Sequence, residues 1–394
     1  MRSPSDLVVV GSPGDERVDR LQAARARRGE PPARVVAWVD AALRPDALAD
    51  AVRPGTVVRL DSPGKSFEAE RALLAAGAGA PEDDPGLERA TALSRAEALA
   101  LAPERGRIRS PRQWYRGLRA TVARLAAETA RARRTFDPDD VACMFDKRAC
   151  DARLHGAGVP VAGGQAIGRI GGWEHLRARL DALGLEKVFV KLAHGSSGSG
   201  VLALRIGSRG PRALTTVERV PGASGDALYS TRAIRLCTHE AELAAIVDAL
   251  AREGVQVEPW LPKATLGNRP LDLRVLVIAG TPRHVVVRLG RTVITNLQAG
   301  GTRGDLGALA AKLGAPAIAA AREAAAGAAR VFGRSLLAGV DVLLDPAGRA
   351  TVLEVNAFGD LLRDAFDRGE DPYDAWLAAA LGTAPALEVR CSST

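Results

Sequence analysis

Short apolar runs alternate with polar, helix-length stretches over the first hundred residues. Leu7-Val8-Val9-Val10, Val35-Val36-Ala37-Trp38-Val39 and Thr56-Val57-Val58-Arg59-Leu60 each predict a strand, and a charged helical stretch follows the first. Strands separated by helices at this spacing predict a small parallel α/β domain. Pro81-Glu82-Asp83-Asp84-Pro85-Gly86 reads as a solvated loop. Helical spacing returns over 111–134 and stops at Phe136-Asp137-Pro138-Asp139-Asp140, which marks the main boundary. Beyond it the pattern predicts a helix over Cys143–His155, a strand-like Val159-Pro160-Val161 and a strand Val188-Phe189-Val190-Lys191. It then predicts a helix capped by Thr238, with Glu240 and Glu242 in its first turn and Gly254 as its stop. Two hairpin-like pairs, 271–295 and 338–356, flank an Ala-rich helix at 304–332.

Length and composition narrow this picture. The 394 residues fit two or three domains, and 47% hydrophobic with 25% charged residues excludes a mainly disordered chain. No apolar run is long enough to span a bilayer, and the N-terminus carries no signal-peptide core, so a soluble cytoplasmic protein is expected. Cys143, Cys150, Cys237 and Cys391 form no CxxC pair and no disulfide framework. The net charge of +8 is local: residues 104–134 hold ten arginines against Glu104 and Glu128. Only six of the 54 basic residues are lysine, which reads as the coding bias of a GC-rich bacterial genome.

Two tempting motifs carry little chemistry. Gly64-Lys65-Ser66 lacks the glycine that a P-loop needs at position 59, where Arg59 stands. Gly11-Ser12-Pro13-Gly14 lacks the full dinucleotide fingerprint and reads as a turn. The run Lys191-Leu192-Ala193-His194-Gly195-Ser196-Ser197-Gly198-Ser199-Gly200 is stronger. Its glycines let backbone approach an anion, its serines add hydroxyls and Lys191 adds a cation, although a ligand-free Gly/Ser hairpin would read the same way. In the hairpin Val340–Asn356, a turn centred between Ala347 and Gly348 sets Asp341 opposite Glu354, with Asn356 on the same face as Glu354. Facing carboxylates repel unless a cation lies between them, and two carboxylates plus an amide suit Mg²⁺. A one-residue slip would turn Asp341 to the other face, and acids at a solvated strand end remain the alternative.

Over residues 140–360 these motifs resemble the ATP-grasp superfamily, most of all its peptide- and amino-acid-ligase branch, which includes ribosomal-protein glutamate ligases. Asp146-Lys147 is similar to the family's first nucleotide lysine, and Lys191 with Ser196, Ser197, Gly198 and Gly200 resembles its second lysine and lid. Val257-Glu258-Pro259-Trp260-Leu261 is similar to its adenine-reading linker, Asp272-Leu273-Arg274 to its Asp-Ile-Arg, and Asn296-Leu297-Gln298-Ala299-Gly300-Gly301 to its Asn-Leu-x-x-Gly-Gly. Asp341, Glu354 and Asn356 fall where its Mg²⁺ ligands fall. The chain departs from the family at Pro262-Lys263, where an acid often contacts ribose, and at Asn-Ala-Phe-Gly-Asp after the metal residues.

The resemblance implies an α/β architecture: an ATP-grasp fold of two α+β subdomains gripping ATP, preceded by a small Rossmann-like parallel domain. The expected divisions are 1–103, an arginine-rich connector 104–136, a central subdomain 137–256 and a C-terminal subdomain 257–394. The implied activity is ATP-dependent ligation of a carboxylate to an amine through an acylphosphate, with Mg²⁺, or Mn²⁺ in its place. Lys147, Lys191, Glu258, Trp260 and Leu261 would hold ATP. Arg274, Asn296 and either Arg288 or Arg291 would act at the transferring phosphoryl group. The alternatives are a small-molecule kinase or a non-catalytic nucleotide-binding protein. Partners are expected to be ATP and a small anionic acceptor, with a homodimer allowed and no membrane. Trp114 and Tyr115 in the arginine window invite a nucleic-acid reading, but the rest of the chain offers no basic surface. A solvated helix face, or a wall of the acceptor pocket using Arg109, Arg112 or Arg116, reads better.

Overall fold

The computed structural model describes residues 6–64, 66–81, 92–222, 225–359 and 362–382. Lys65, Cys391, Asp360 and most of the loop expected at 81–86 lie outside the described residues. No helix among the described residues is long and apolar enough to cross a membrane.

The chain begins with a parallel sheet of β1 (Leu7–Gly11), β2 (Arg34–Ala37), β3 (Val57–Leu60) and β4 (Arg133–Arg134), ordered β2-β1-β3-β4. Central strand β1 reads as an unbroken apolar run because both its faces are covered, whereas the edge strand β4 is two exposed arginines. Val8, Val10, Val58 and Leu60 pack under α2 (Trp38–Leu43), α3 (Phe67–Gly77) and α5 (Pro111–Glu128). Between α3 and α5 runs the short α4 (Arg95–Ala100). Helices α3 and α5 touch backbone to backbone: a Cβ at Gly117 would stand 1.8 Å from the Leu73 carbonyl oxygen. Leu7, Val9 and Val57 face the other way, toward α1 (Glu16–Arg27) and the last helix, α12 (Pro372–Leu381). Trp376 and Leu377 of α12 share that core with Leu276 and Ile278, so α12 is wedged between the first sheet and the C-terminal one.

Next come α6 (Pro138–Phe145), α7 (Lys147–Gly156) and α8 (Trp173–Leu183), then β5 (Lys187–Leu192), β6 (Val201–Gly207), β7 (Gly210–Val220) and β8 (Ala227–Cys237). Helix α9 (Glu240–Arg252) leads to β9 (Val255–Pro259), giving an antiparallel sheet β8-β7-β6-β5-β9 roofed by α8 and α9. The third sheet holds β10 (Thr265–Leu266), β11 (Arg269–Ile278), β12 (Thr281–Leu289), β13 (Thr302–Gly304), β14 (Leu337–Leu344) and β15 (Ala350–Asn356). Its order is β13-β12-β11-β14-β15, with β10 paired to β11. Helices α10 (Leu306–Leu313) and α11 (Ala315–Val331) cover it, together with Cys150 and Leu154 of α7.

Several local expectations change. The helix expected over 143–155 is two, because Asp146 ends α6 and its carboxylate then accepts from the Arg148 and Ala149 N–H groups to start α7. Gly314 likewise divides the Ala-rich helix, and α5 stops at Glu128 instead of 134. His239, not Thr238, is the N-cap of α9. Val159–Val161 forms only one parallel bridge, Val161 to Val352.

Candidate active site

The hairpin of β14 and β15 pairs Leu344 with Ala350 and Val342 with Val352, then shifts register, so Asp341 faces Glu354 and Gly339 faces Asn356. The turn alone would therefore misplace the acids by one residue. A bulge at Leu353 restores the alignment and aims Glu354 and Asn356 at the same side as Asp341. The Asn356 amide N–H donates to the Gly339 carbonyl at 3.2 Å, leaving its oxygen to point away.

Cations surround this pair. Arg274, on β11 directly across from Asp341, donates from Nε and Nη2 to the two Asp341 oxygens and from Nη1 to Gly359 O at 2.9 Å. Arg288 reaches Asp272 Oδ1 at 2.7 Å and Asp341 Oδ2 at 3.0 Å. Asp272 also takes the Lys263 ammonium at 3.2 Å and the Thr295 hydroxyl. All six of these side chains are buried. Burial disfavours the Asp272 carboxylate, but Arg288 and Lys263 outweigh it and hold its pKa well below the ordinary range. Burial works the same way on Arg288, and there Asp272 and Asp341 keep the guanidinium firmly charged. Lys263 is pushed down by burial against the weaker pull of Asp272.

Lys147 and Lys191 lie at the opposite wall. Lys147, the first residue of α7, donates to Gly195 O at 2.8 Å and stands 3.3 Å from Glu354 Oε2. Lys191, on β5, is bonded to Glu258 of the neighbouring β9. Burial opposes the Lys191 charge, and Glu258 outweighs it, so its pKa sits above the ordinary value. Between the walls opens a cleft lined by Lys147, Asp151, Gln256, Glu258, Glu354 and apolar Met144, Leu154 and Val352. Burial and the nearby Glu258 charge raise the Asp151 carboxyl to about 6.

Ser196 and Ser197 are exposed in the loop between β5 and β6, with Ser197 in the left-handed region at φ 55°. Gly198 lies against Asn296, where an added Cβ would be 3.3 Å from its Cγ. Asn296 uses its side-chain oxygen to cap a short 3₁₀ turn, Leu297–Ala299, accepting from Gln298 N at 2.8 Å. Trp260 packs against Phe189 at a tilt, ring centroids 5.5 Å apart, beside Ile294 and Ala299, and Leu261 follows it, half-buried. Arg291 is exposed, whereas Arg288 is inside the acid network. Gly200 is buried against Leu192 at the foot of the lid.

Sequence reasoning missed the roles of two residues here, Tyr115 and Lys263. Tyr115 of α5 stacks on His194 with ring centroids 4.1 Å apart, and His194 Nε2 lies 3.3 Å from Asp146 Oδ2. This ties the connector helix to the residue before Lys147, and no pattern in the sequence announces so distant a pairing. Lys263 was read only as a missing acid, yet it neutralises Asp272.

The fold is known from other proteins. The chain is similar to the crystal structure of D-cycloserine synthetase DcsG, with a TM-score of 0.53, 17% identity and 96% of this chain covering 98% of that one. It is similar to biotin carboxylase from Campylobacter jejuni (TM-score 0.51, 14% identity, 97% of this chain and 72% of that one). D-alanine–D-alanine ligase from Bacillus anthracis gives a TM-score of 0.50 at 10% identity, over 97% of this chain and 98% of that one. No protein-family profile and no curated protein sequence matches. The architecture is the ATP-grasp fold behind a small parallel α/β domain.

Proposed function

We propose that this protein is an ADP-forming ligase that joins a carboxylate to an amine. The observation that carries this reading is the meeting of Lys147, Arg274 and Arg288 on the facing pair Asp341 and Glu354, below a glycine lid that follows Lys191. The similar structures of biotin carboxylase and D-alanine–D-alanine ligase are complexes with ATP or its analogue, and they share this fold.

The reaction brings a carboxylate up to a polyphosphate, and like charges must be offset where they meet. Lys147 and Lys191 neutralise the ATP phosphates, with Glu354 and Glu258 holding them in place beforehand. The substrate carboxylate oxygen attacks the γ-phosphorus and ADP leaves. Arg274 and Arg288, fixed by Asp341 and Asp272, face the charge on the transferring group. The amine nitrogen then attacks the acyl carbon, loses a proton and expels phosphate. Ser196–Gly200 close over the site and exclude water that would hydrolyse the acylphosphate. Trp260 and Leu261 continue from the Glu258 strand and contact the nucleotide base.

The donor set fits a hard divalent cation. Asp341 and Glu354 oppose each other with like charge, balanced here by arginine and lysine, and the Asn356 oxygen lies on their side. Asp341, Glu354 and Asn356 would hold Mg²⁺, which supplies charge neutralisation to the phosphate oxygens. The chemistry asks for no side-chain nucleophile. A screen for ADP release over amino acids and small peptides, with mass spectrometry of the products, tests the reading. A new amide is the expected product; a phosphorylated product without an amide would make the protein a kinase.

A further inference from the structure

The arginine-rich connector does more than join domains. Residues 106–108 lie along β8: Ser230 N donates to Gly106 O at 2.6 Å, Ile108 N donates to Leu228 O at 2.8 Å, and Arg107 bridges Tyr229. Gly106 adopts φ 79°, and a Cβ there would sit 2.7 Å from the Ser230 carbonyl oxygen, so the strand passes only as glycine. This brings the connector to the rim of the lid.

Most arginines of this segment are occupied. Arg109 is paired with Glu104 at 2.5 Å, Arg107 lies over the Tyr229 ring at 5.3 Å, and Arg116 donates to Gly77 O at 3.3 Å. Arg124 binds Glu128, and Arg134 donates to Ala126 O at 2.6 Å. Arg109 already carries a carboxylate, that of Glu104. Arg105 differs: among the described residues it meets no carboxylate, and neither does Arg232 on β8.

Arg105 and Arg232 line the same cleft, about 340 Å³ in volume, with Ser197 of the lid, Ser230 and Gln298. No acidic side chain lines it. It adjoins the phosphoryl end of the candidate site through Gly198, which touches Asn296. Ser197 holds a left-handed φ of 55° at its edge, backbone strain of the kind that binding loops carry. Two guanidiniums on one cleft, with hydroxyls and an amide beside them, form a cationic donor set with no carboxylate to repel an anion.

We infer that this cleft binds an oxyanion, a carboxylate or a phosphate, carried by the acceptor substrate, with Arg105 and Arg232 as its cationic contacts. The inference rests on the ligase reading for the word acceptor, since it adds a second anionic group remote from the one that reacts. It identifies the substrate as a molecule with at least two charged ends, such as an amino acid or peptide with a free carboxylate or a phosphorylated acceptor. The excess positive charge of the chain then has a local purpose beside the lid.

Titration calorimetry on the full chain tests this with succinate and inorganic phosphate as probes, beside Mg²⁺ with a non-hydrolysable ATP analogue. Wild type is expected to bind one of the two anions, and Arg105→Gln and Arg232→Gln to weaken it about tenfold each. Arg209→Gln, at the exposed turn after β6, keeps wild-type affinity. Tighter succinate marks a carboxylate ligand and tighter phosphate a phosphorylated one. Absence of anion binding by wild type, or affinities within twofold of wild type in both arginine variants, overturns the inference. Anion binding that survives while the nucleotide analogue fails to bind leaves the cleft standing and sinks the ligase reading instead.

Discussion

The two sheets that face each other across the candidate site are built on opposite principles. On the C-terminal side, Asp272, Arg274, Arg288 and Asp341 are buried and bonded to one another, with Lys263 and Thr295 filling the remaining valences of Asp272. On the central side, Lys191 pairs with Glu258 and lies over the Phe189 ring, Ser196 and Ser197 are exposed, and Arg232 meets no carboxylate among the described residues. One wall is a template whose charges are fixed before any ligand arrives. The other presents groups that a ligand can recruit. On the proposed ligase reading, the fixed wall would need no reorganisation during reaction and the adjustable one would admit substrate.

Breaking the fixed wall gives the largest effect. Asp272→Ala leaves Arg288 and Lys263 buried without their shared partner and is expected to cost about 3–5 kcal/mol in urea unfolding. A loss under about 1 kcal/mol would mean that the network is wetter than its burial indicates. On the adjustable wall the effect moves from stability to turnover. Lys191→Ala should lower ADP release about 100-fold while shifting the unfolding midpoint little, and unchanged turnover would remove Lys191 from the nucleotide site.

The cleft between the walls gives a smaller, pH-dependent effect. Asp151 titrates at about 6 in the fold against an ordinary 3.8, so ionising it works against the folded state. Stability from this group is full below pH 4 and is lost as pH rises through 6. Asp151→Asn should abolish that slope and raise stability at pH 7.5 by about 1 kcal/mol, the full linkage value being reduced because the group is partly solvated. An unchanged slope would assign the pH dependence elsewhere. Smallest is the contrast between two arginines. Arg291→Gln should change ADP release less than about threefold, where loss of Arg288 removes an oxyanion-facing cation worth about 100-fold; equal losses would put Arg291 at the phosphate.

The strand-and-loop order was legible because it follows from local periodicity. Strands alternate every two residues, and turn residues such as Pro346 and Gly348 mark the hairpin's end. The facing of Asp341 and Glu354 was reached by a turn centred half a residue off and a bulge at Leu353 that no spacing announces, two offsets that cancel. The choice between Arg288 and Arg291 stayed open in the sequence because it depends on pairing β11 with β12, which sets Asp272 against Arg288. The return of α12 to the first sheet, and Tyr115 stacking on His194, join residues far apart in the chain, and composition holds no trace of such contacts. Asp146 was read inside one helix because apolar periodicity runs on through it; its backbone, extended at φ −102°, breaks the helix there.

The central claim is that a substrate carboxylate attacks the γ-phosphorus. It is tested most directly by labelling both oxygens of that carboxylate with ¹⁸O, for the acid that the ADP-release screen returns, and recovering the phosphate after amide formation. The account predicts one ¹⁸O atom in each phosphate released, because the oxygen that attacked phosphorus leaves with it. Phosphate free of the label, formed alongside the same amide, would contradict it.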